Sequence, residues 1–382
     1  MDFTRDEDQV AIRAAVALIC DGFGPEYYQK HAEARTPTTE LWQSLGTHGY
    51  IGINLPEAYG GGGAGMVELA AVCEESAARG TPLLLLLVSS AISGEVLAAY
   101  GSPEQRERWL PGLASGVSKM VFAITEPTAG SNTHRLSTTA RREGDKWSIS
   151  GEKYYISGVD EAESILVVAR TSGPEEKSQL SLFVVDSDAP GLTRMPLPVS
   201  VALPEKQFTL HFDNVIVGED RLIGTEGDGF KQVFRGLNPE RITGAAICVG
   251  IGRYALERAA AYASNRVVWN APIGTHQGVS HALAKAKIEV ELAALMTAKA
   301  AWLHDRNEPA GEASNMAKYA AAEAALAAID AAIQTHGGNG LATEFGLIPY
   351  WGMARLLRIA PVNREMILNY VAQHSLGLPR SY

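Results

Sequence analysis

Three shortages in the chain exclude whole classes of protein. There are only three cysteines, Cys20, Cys73 and Cys248, and they lie among apolar residues with no CxxC spacing. This pattern predicts buried, reduced thiols and argues against a disulfide framework or a cysteine metal site. Apolar runs such as Leu83–Val88 are far shorter than the roughly 20 residues that cross a bilayer. We therefore expect no membrane span and no bound metal.

Positive charge is also scarce. The 33 Lys and Arg residues are outnumbered by 43 Asp and Glu residues, which gives a formal net charge of -10. Because binding to a phosphate backbone needs clustered Lys and Arg, nucleic acid is not an expected partner. The N-terminal segment Met1–Asp8 is acidic, whereas a secretory or mitochondrial presequence would be basic. This segment predicts a cytoplasmic protein.

Apolar residues, in contrast, are plentiful. They make up 46% of the 382 residues, which is typical of a folded protein with more than one core. Helical periodicity fills the first third, short β-type runs fill the middle, and long Ala-rich helices such as His281–Asp305 and Asn315–Thr335 follow. The sequence therefore predicts an α+β multi-domain protein, with a helical domain at 1–118, a β domain at 119–226 and a helical bundle at 227–382.

Two polar segments in the middle third have the composition of pocket walls. The first, Thr125–Asn132, reads Thr-Glu-Pro-Thr-Ala-Gly-Ser-Asn and follows an apolar run, and the second is Lys153–Gly158. Hydroxyls of Thr125 and Ser131 could bind the edge of a flat ligand, and Gly130 would let the backbone approach it. Each segment alone could equally be an ordinary turn or a half-buried strand. Their occurrence together favours a pocket.

The order of motifs along the chain resembles the acyl-CoA dehydrogenase family. The resemblance rests on Thr125–Asn132, on Leu55–Gly61 in the first third, on the spacing Arg266, Trp269, Ile273 and Gln277, and on Gln334–Gly340, which reads Gln-Thr-His-Gly-Gly-Asn-Gly. It implies two helical domains around a β-barrel-like domain, with a four-helix bundle at the C-terminus. It also implies FAD, an acyl-CoA or acyl-carrier-protein substrate, an electron-transferring flavoprotein as acceptor, and a homotetramer or dimer of dimers.

The resemblance assigns ten positions to the cofactor. They are Thr125, Ser131, Tyr155, Ser157, Arg266, Trp269, Gln277, Gln334, Gly337 and Gly338. Tyr155 and Ser157 stand where the family usually has Trp and Thr, and both keep an aromatic ring and a hydroxyl. Arg266 and the Gln334–Gly338 segment are implied to reach the FAD of a neighbouring subunit. The alternatives are a solvated cation for Arg266 and a helix C-cap for the glycines.

The proton-abstracting base is where this chain departs from the family. The usual Tyr-Glu-Gly-Thr stretch aligns with Ala360–Asn363, so Pro361 replaces the usual Glu. A subgroup that includes isovaleryl-CoA dehydrogenase carries the base earlier, in a Leu-x-x-Glu-Arg context that matches Leu237–Arg241. The resemblance thus implies Glu240 as the base, with Arg241 either orienting it or binding substrate.

Several alternatives stay open beside this assignment. We expect Pro239 near a helix start, where Glu240 could also be a simple first-turn acid. Glu365 is a second candidate base and Glu344 a weaker one. Three further residues depart from the family's pattern: Asn363 and Glu365 replace a Thr and a Gln that often meet the adenine end of FAD, and Asn132 replaces a commoner Asp.

The leading functional hypothesis is α,β-dehydrogenation of an acyl-CoA thioester to the trans-2-enoyl-CoA. An acyl-CoA oxidase or a flavin monooxygenase of the same fold is an alternative, although a monooxygenase needs no α-proton base. A non-catalytic subunit of a hetero-oligomeric dehydrogenase is another, because Pro361 removes the usual base.

Overall fold

The computed structural model of the chain describes residues 7–171 and 179–380. Residues 1–6, on which the expected cytoplasmic location partly rests, lie outside the described part. The N-terminal third is helical, as the sequence predicts. Its helices are α1 (Glu7–Asp21), α2 (Gly24–Ala34), α3 (Thr39–Thr47), α4 (Met66–Ala78), α5 (Glu95–Tyr100) and α6 (Pro103–Ser115), with a π-helical segment, Leu86–Gly94, before α5.

Helix α6 shows how local sequence sets an element boundary. Ser102 Oγ accepts a hydrogen bond from Gln105 N at 3.2 Å, and Gln105 Oε1 accepts one from Ser102 N at 2.8 Å. This reciprocal capping satisfies donors that the first turn leaves free, and Pro103 at the next position needs no donor partner. Gly116 ends the helix with a φ of 72°, which glycine adopts without strain.

The middle third forms one mixed sheet. Its strands are β1 (Met120–Ala123), β2 (Thr139–Glu143), β3 (Lys146–Ser157), β4 (Ser164–Arg170), β5 (Leu180–Asp186), β6 (Leu192–Leu197), β7 (Gln207–Gly218) and β8 (Leu222–Ile223). The pairing follows an open path, β6-β7-β3-β2-β4-β5-β8, with β1 parallel to β4. Trp147 and Phe183 pack edge to face in the core, with ring centroids 5.2 Å apart.

The last third is a helical bundle followed by a short helix. It contains α7 (Gly229–Asn265), α8 (Gln277–Asp305), α9 (Gly311–His336), α10 (Ile348–Ile359) and α11 (Arg364–His374), with a two-stranded hairpin, β9 (Val267–Val268) and β10 (Ala271–Pro272), between α7 and α8. The two predicted Ala-rich helices lie within α8 and α9.

Small residues let α7 approach its neighbours closely. A Cβ atom added at Gly250 would lie 2.3 Å from the carbonyl oxygen of Glu74 in α4, and one added at Gly236 would lie 2.9 Å from Ile92 in the π-helical segment. Larger side chains at these positions would force the elements apart. Helix α7 is thus packed directly against the N-terminal helices.

The helical, β and helical order predicted from the sequence is confirmed. Cys20, Cys73 and Cys248 are buried and free of disulfides, also as predicted. None of the described helices combines the length and apolarity that a membrane span requires.

Candidate active site

The two predicted pocket segments lie side by side. The carbonyl oxygen of Thr125 accepts a hydrogen bond from the backbone N–H of Tyr154 at 2.8 Å. Lys153 Nζ donates to the carbonyl oxygen of Ile124 at 2.9 Å. The structure therefore brings the Thr125–Asn132 segment against strand β3.

A buried ion pair fixes this contact. Lys153 Nζ lies 2.9 Å from Glu126 Oε1, and both side chains are buried. The Glu126 carboxylate also accepts hydrogen bonds from the backbone and hydroxyl of Ser137 and from the backbone of Thr138, at 2.6, 2.7 and 2.9 Å. Burial raises the pKa of Glu126, but the Lys153 cation and these donors outweigh it and lower the pKa to about 2. The segment is held by an ionised carboxylate.

A bulge in β3 turns Tyr155 outwards. The pairing of β3 with β7 shifts register between Lys153 and Ile156, and Tyr155 there has a φ of 57° and an exposed fraction of 55%. Bulges commonly redirect a side chain in this way. Two residues later, Ser157 Oγ donates to Gln207 Oε1 at 2.9 Å, and Gln207 Nε2 is buried with no partner among the described residues.

Ser131 is tied to the C-terminal helices. Its hydroxyl accepts a hydrogen bond from Asn363 Nδ2 at 2.7 Å, while Asn363 Oδ1 accepts one from the backbone N–H of Met366 at 2.9 Å and so caps α11. The residue that stands in place of the family's usual Thr therefore joins the Thr125–Asn132 segment to the segment between α10 and α11.

The other predicted cofactor residues form a separate, exposed group. Its members are Arg266, Trp269, Gln277, Gln334, Gly337 and Gly338. Tyr262, in the last turn of α7, holds their two segments together, because its ring stacks on His336 at 4.2 Å and its hydroxyl accepts from Asn339 Nδ2 at 3.1 Å. We find no interaction between described residues that joins this group to Thr125, Ser131, Tyr155 or Ser157.

Glu240 lies inside α7, so the prediction that Pro239 lies near a helix start is wrong. The helix starts at Gly229, and Pro239 is in its interior. Thr243 Oγ1 donates to the carbonyl oxygen of Pro239 at 2.8 Å and to that of Glu240 at 3.2 Å. Because the effect of the helix dipole falls off within the first turn, it has no part in setting the acidity of Glu240.

Burial controls the acidity of Glu240 instead. Its carboxylate has no hydrogen bond or ion pair with any described residue. Desolvation raises the pKa of Glu240 to about 7, and the cations of Arg241 and Lys318 oppose this rise. Arg241 is engaged elsewhere, because its Nη1 donates to Asn238 Oδ1 at 2.9 Å while its Nε is buried without a described partner. A free carboxylate with a near-neutral pKa can serve as a general base.

Pro361, which occupies the position of the family's usual base, faces the side of α7 on which Glu240 lies. Gly244 lies one turn after Glu240, and a Cβ atom added there would be 4.0 Å from Pro361 Cδ. Glu365 and Glu344, the other two candidate bases, are exposed. Among these three carboxylates, only Glu240 is partly buried, and it lies one turn from the residue that faces Pro361.

Known proteins resemble this chain along most of its length. Residues 6–117, 121–215 and 227–376 match the N-terminal, middle and C-terminal domains of acyl-CoA dehydrogenases. The chain belongs to the acyl-CoA dehydrogenase family. Over its full length it is 53% identical to acyl-CoA dehydrogenase fadE12 of Mycobacterium tuberculosis, of which the match covers 99%.

Two solved structures have the same fold. A glutaryl-CoA dehydrogenase from Mycobacterium smegmatis in complex with FADH2 matches with a TM-score of 0.92 and 25% identity, covering 99% of this chain and 96% of that one. A chain from the structure of the electron transferring flavoprotein of Acidaminococcus fermentans matches with a TM-score of 0.93 and 27% identity, covering 98% of this chain and 100% of that one.

The residues of this acyl-CoA dehydrogenase family member suit a flat ligand with polar edges. The side-chain hydroxyl of Thr125 has no hydrogen-bond partner among the described residues, and Gln207 Nε2, next to Ser157, is a buried donor without an acceptor. Gly130 has no protein atom within 4 Å of its Cβ direction. An isoalloxazine ring offers the acceptors that such donors need.

Two site residues were not found by sequence reasoning. Lys318 lies in the Ala-rich stretch of α9, where a single Lys is usually solvent-exposed, and it is buried beside Glu240. Gln207 follows a loop between strands and has no motif around it. In the sequence, only the resemblance of neighbouring segments to the family could have indicated that Lys318 or Gln207 belongs to the site.

Proposed function

We propose that this family member is an FAD-dependent acyl-CoA dehydrogenase that uses Glu240 as its base, as in the subgroup with the base on the earlier helix. The observation that carries the proposal is the half-buried Glu240 carboxylate, which has no described partner and lies one helical turn from the residue that faces Pro361. The reaction converts an acyl-CoA to its trans-2-enoyl-CoA.

The proposed step begins with proton transfer to Glu240. With a pKa of about 7, a large part of it is ionised at neutral pH, and its carboxylate is basic enough to take the α-proton of a thioester. Bound FAD would supply the acceptor for the hydride that leaves the β-carbon. Thr125, Ser131, Tyr155 and Ser157 would hold its ring against β3.

A cleft beside Asn238 supports a route for the substrate. It has a volume of about 280 Å³, and Phe234, Asn238, Glu308 and Pro309 are among the residues that line it. Asn238 accepts the hydrogen bond from Arg241, the neighbour of Glu240. We propose that the polar part of the thioester enters here and that Arg241 helps to position it.

We also propose that the protein is a homo-oligomer whose copies complete one another's cofactor sites. Along a straight α7, Arg266 lies roughly 39 Å from Glu240 at 1.5 Å per residue, so it does not serve the site next to that carboxylate in its own chain. Ile288, Leu292 and Leu295 form an exposed apolar stripe on α8, with exposed fractions of 61%, 61% and 52%. A second copy would cover this stripe.

The domain limits 1–118, 119–226 and 227–382 are likewise proposals. They are supported by the change to strand at Met120 and back to helix at Gly229. The electron-transferring flavoprotein as acceptor and the cytoplasmic location stay predictions. The family resemblance and the match to a chain from an electron transferring flavoprotein structure support the former.

Anaerobic titration of the purified holoprotein with acyl thioesters tests the proposed function. We expect loss of the flavin absorbance with at least one acyl-CoA, recovery on adding an electron-transferring flavoprotein, and enoyl-CoA as product. The panel should include straight and branched chains and acyl groups on carrier protein. Rapid reoxidation by air with stoichiometric peroxide would identify an oxidase, and FAD binding without reduction by any thioester would identify a non-catalytic subunit.

A further inference from the structure

Lys318 is a buried cation that the proposed reaction does not yet use. Its side chain in α9 is only 2% exposed. Its Nζ donates a hydrogen bond to the carbonyl oxygen of Val362, and no carboxylate of the described residues lies within ion-pair distance of it. Burying an ammonium group without a carboxylate partner is unfavourable. Packing alone is therefore a poor reason for a lysine at this position.

The titratable groups that act on Lys318 come from two helices. Helix α7 presents Glu240, Arg241 and the neutral thiol of Cys248, and α9 itself presents Glu323. Glu323 is already engaged, because its Oε1 lies 2.6 Å from Arg358 Nε and 3.4 Å from Arg364 Nε. Glu240 has no such partner. It is therefore the carboxylate on which the Lys318 cation can have most influence.

The hydrogen bond to Val362 also places Lys318 at the wall of the site. Val362 directly follows Pro361, which faces Gly244 one turn beyond Glu240. Asn363, the next residue, bonds to Ser131 of the predicted flavin-facing segment. Lys318 thus contacts the Pro361–Asn363 segment, which lies between α7 and the predicted flavin-facing segment Thr125–Asn132.

We propose that Lys318 is a positioning residue for the reaction: its buried charge increases the fraction of Glu240 that is ionised at neutral pH, and its hydrogen bond holds the Pro361–Val362 segment against α7. The inference rests on the proposed role of Glu240. Burial lowers the pKa of Lys318 to about 8, so the cation is still mostly present at pH 7. Arg241, the other nearby cation, is pinned to Asn238.

The pH dependence of kcat/KM for the holoenzyme tests this inference. Lys318→Gln removes the charge but keeps an amide that can donate to Val362, whereas Lys318→Met removes both. We expect the midpoint of the acidic limb to rise by about one unit in both variants. The activity would then fall about fivefold at pH 7 and recover at pH 9. Lys318→Arg, which keeps the charge, should leave the midpoint near that of the parent.

Loss of stability without a shift would overturn the inference. If Lys318→Gln and the parent share one acidic midpoint, the charge does not act on the base. If Lys318→Met alone is less thermally stable and neither variant shifts the midpoint, Lys318 is only a structural tether.

A second readout separates this inference from the proposed function. The difference in Tm between the parent and Glu240→Gln should grow with pH until Glu240 is fully ionised. In a Lys318→Gln background, we expect the pH at which this difference reaches its plateau to rise by about one pH unit. If Glu240→Gln retains full turnover, the proposed base is wrong. If it loses turnover and the plateau does not move, only the role of Lys318 is wrong.

Discussion

The two ends of helix α7 differ in how their functional residues meet the solvent. In its first half, the side chain of Glu240 is half-buried and has no described partner, and buried Lys318 lies nearby. Beyond its other end, Arg266 and Trp269 project into solvent, and Trp269 is 88% exposed. The first region holds the proposed base and a buried cation within one chain. The second consists of exposed groups, which we propose bind the cofactor of a second copy.

Replacing the proposed base, Glu240, should have the largest effect in either region. We expect Glu240→Gln to lower the rate of anaerobic flavin reduction by about 10³-fold or more, because general-base catalysis contributes about 10²–10⁴-fold and the amide cannot accept the proton. FAD content should be unchanged. Stopped-flow absorbance with a reactive acyl-CoA measures the rate.

Glu365→Gln is the matched control for this change. Glu365 was the second candidate base, but it is exposed, so its variant should stay within about twofold of the parent. If Glu365→Gln were the slow variant and Glu240→Gln the fast one, the assignment of the two carboxylates would have to be exchanged.

A charge placed on the apolar stripe of α8 tests whether the exposed region is covered by a second copy. Leu292→Glu places a carboxylate at the middle of the stripe, and burying it against a second copy would cost several kcal/mol. We expect the assembly to dissociate at micromolar concentration and to lose FAD on dilution, as measured by light scattering and flavin absorbance. Leu18→Glu, at an exposed leucine of α1, is the control and should leave the assembly intact. An unchanged assembly in Leu292→Glu would show that α8 is not the contact.

Replacing Arg266 by Ala should have a smaller effect on the same exposed region. If its guanidinium binds a diphosphate held by a second copy, Arg266→Ala should weaken FAD binding by about tenfold, since a hydrogen bond to a charged group contributes about 1.5–3 kcal/mol. Fluorescence titration of the apoprotein with FAD gives the affinity, and the oligomeric state should not change. Arg141→Ala, at an exposed arginine of β2, is the control. Equal affinities in both variants would make Arg266 a solvated cation.

The sequence predicted the architecture well because its signals are local. Helical periodicity, β-type runs and the Ala-rich stretches of α8 and α9 each depend on residues close in the chain. The error at Pro239 has the same origin, because proline is usually a boundary signal. Nothing near Pro239 shows that Thr243 bonds back to its carbonyl oxygen or that the N-terminal helices pack along α7.

The candidate site was predicted only where a family motif marks it. Glu240, Thr125 and Ser131 were found through motifs, but their surroundings depend on contacts between distant segments. Lys318 meets Val362 across 44 positions, and Ser131 meets Asn363 across 232. Neither contact leaves a pattern in a single sequence. The desolvation that sets the acidity of Glu240 is a property of the packed helices and cannot be predicted from composition.

A fully buried carboxylate elsewhere in the chain, Glu205, tests whether burial alone makes a base. Glu205 is buried, its Oε2 has no described partner, and burial together with the nearby Glu161 raises its pKa to about 7. It therefore shares the acidity of Glu240 but not its position. Because the folded state binds this proton more tightly than the unfolded state, its contribution to stability is complete below about pH 4.5 and is lost as the pH rises towards 7.

We expect Glu205→Gln, which is neutral at every pH, to have a Tm close to the parent at pH 5 and a few degrees higher at pH 8. Its turnover should stay within about threefold of the parent, as measured by scanning calorimetry and the same flavin assay. A fall in turnover as large as that of Glu240→Gln would mean that a position beside Pro361 is not what makes a carboxylate of this protein necessary for turnover. An unchanged Tm difference across pH would mean that Glu205 is solvated in solution.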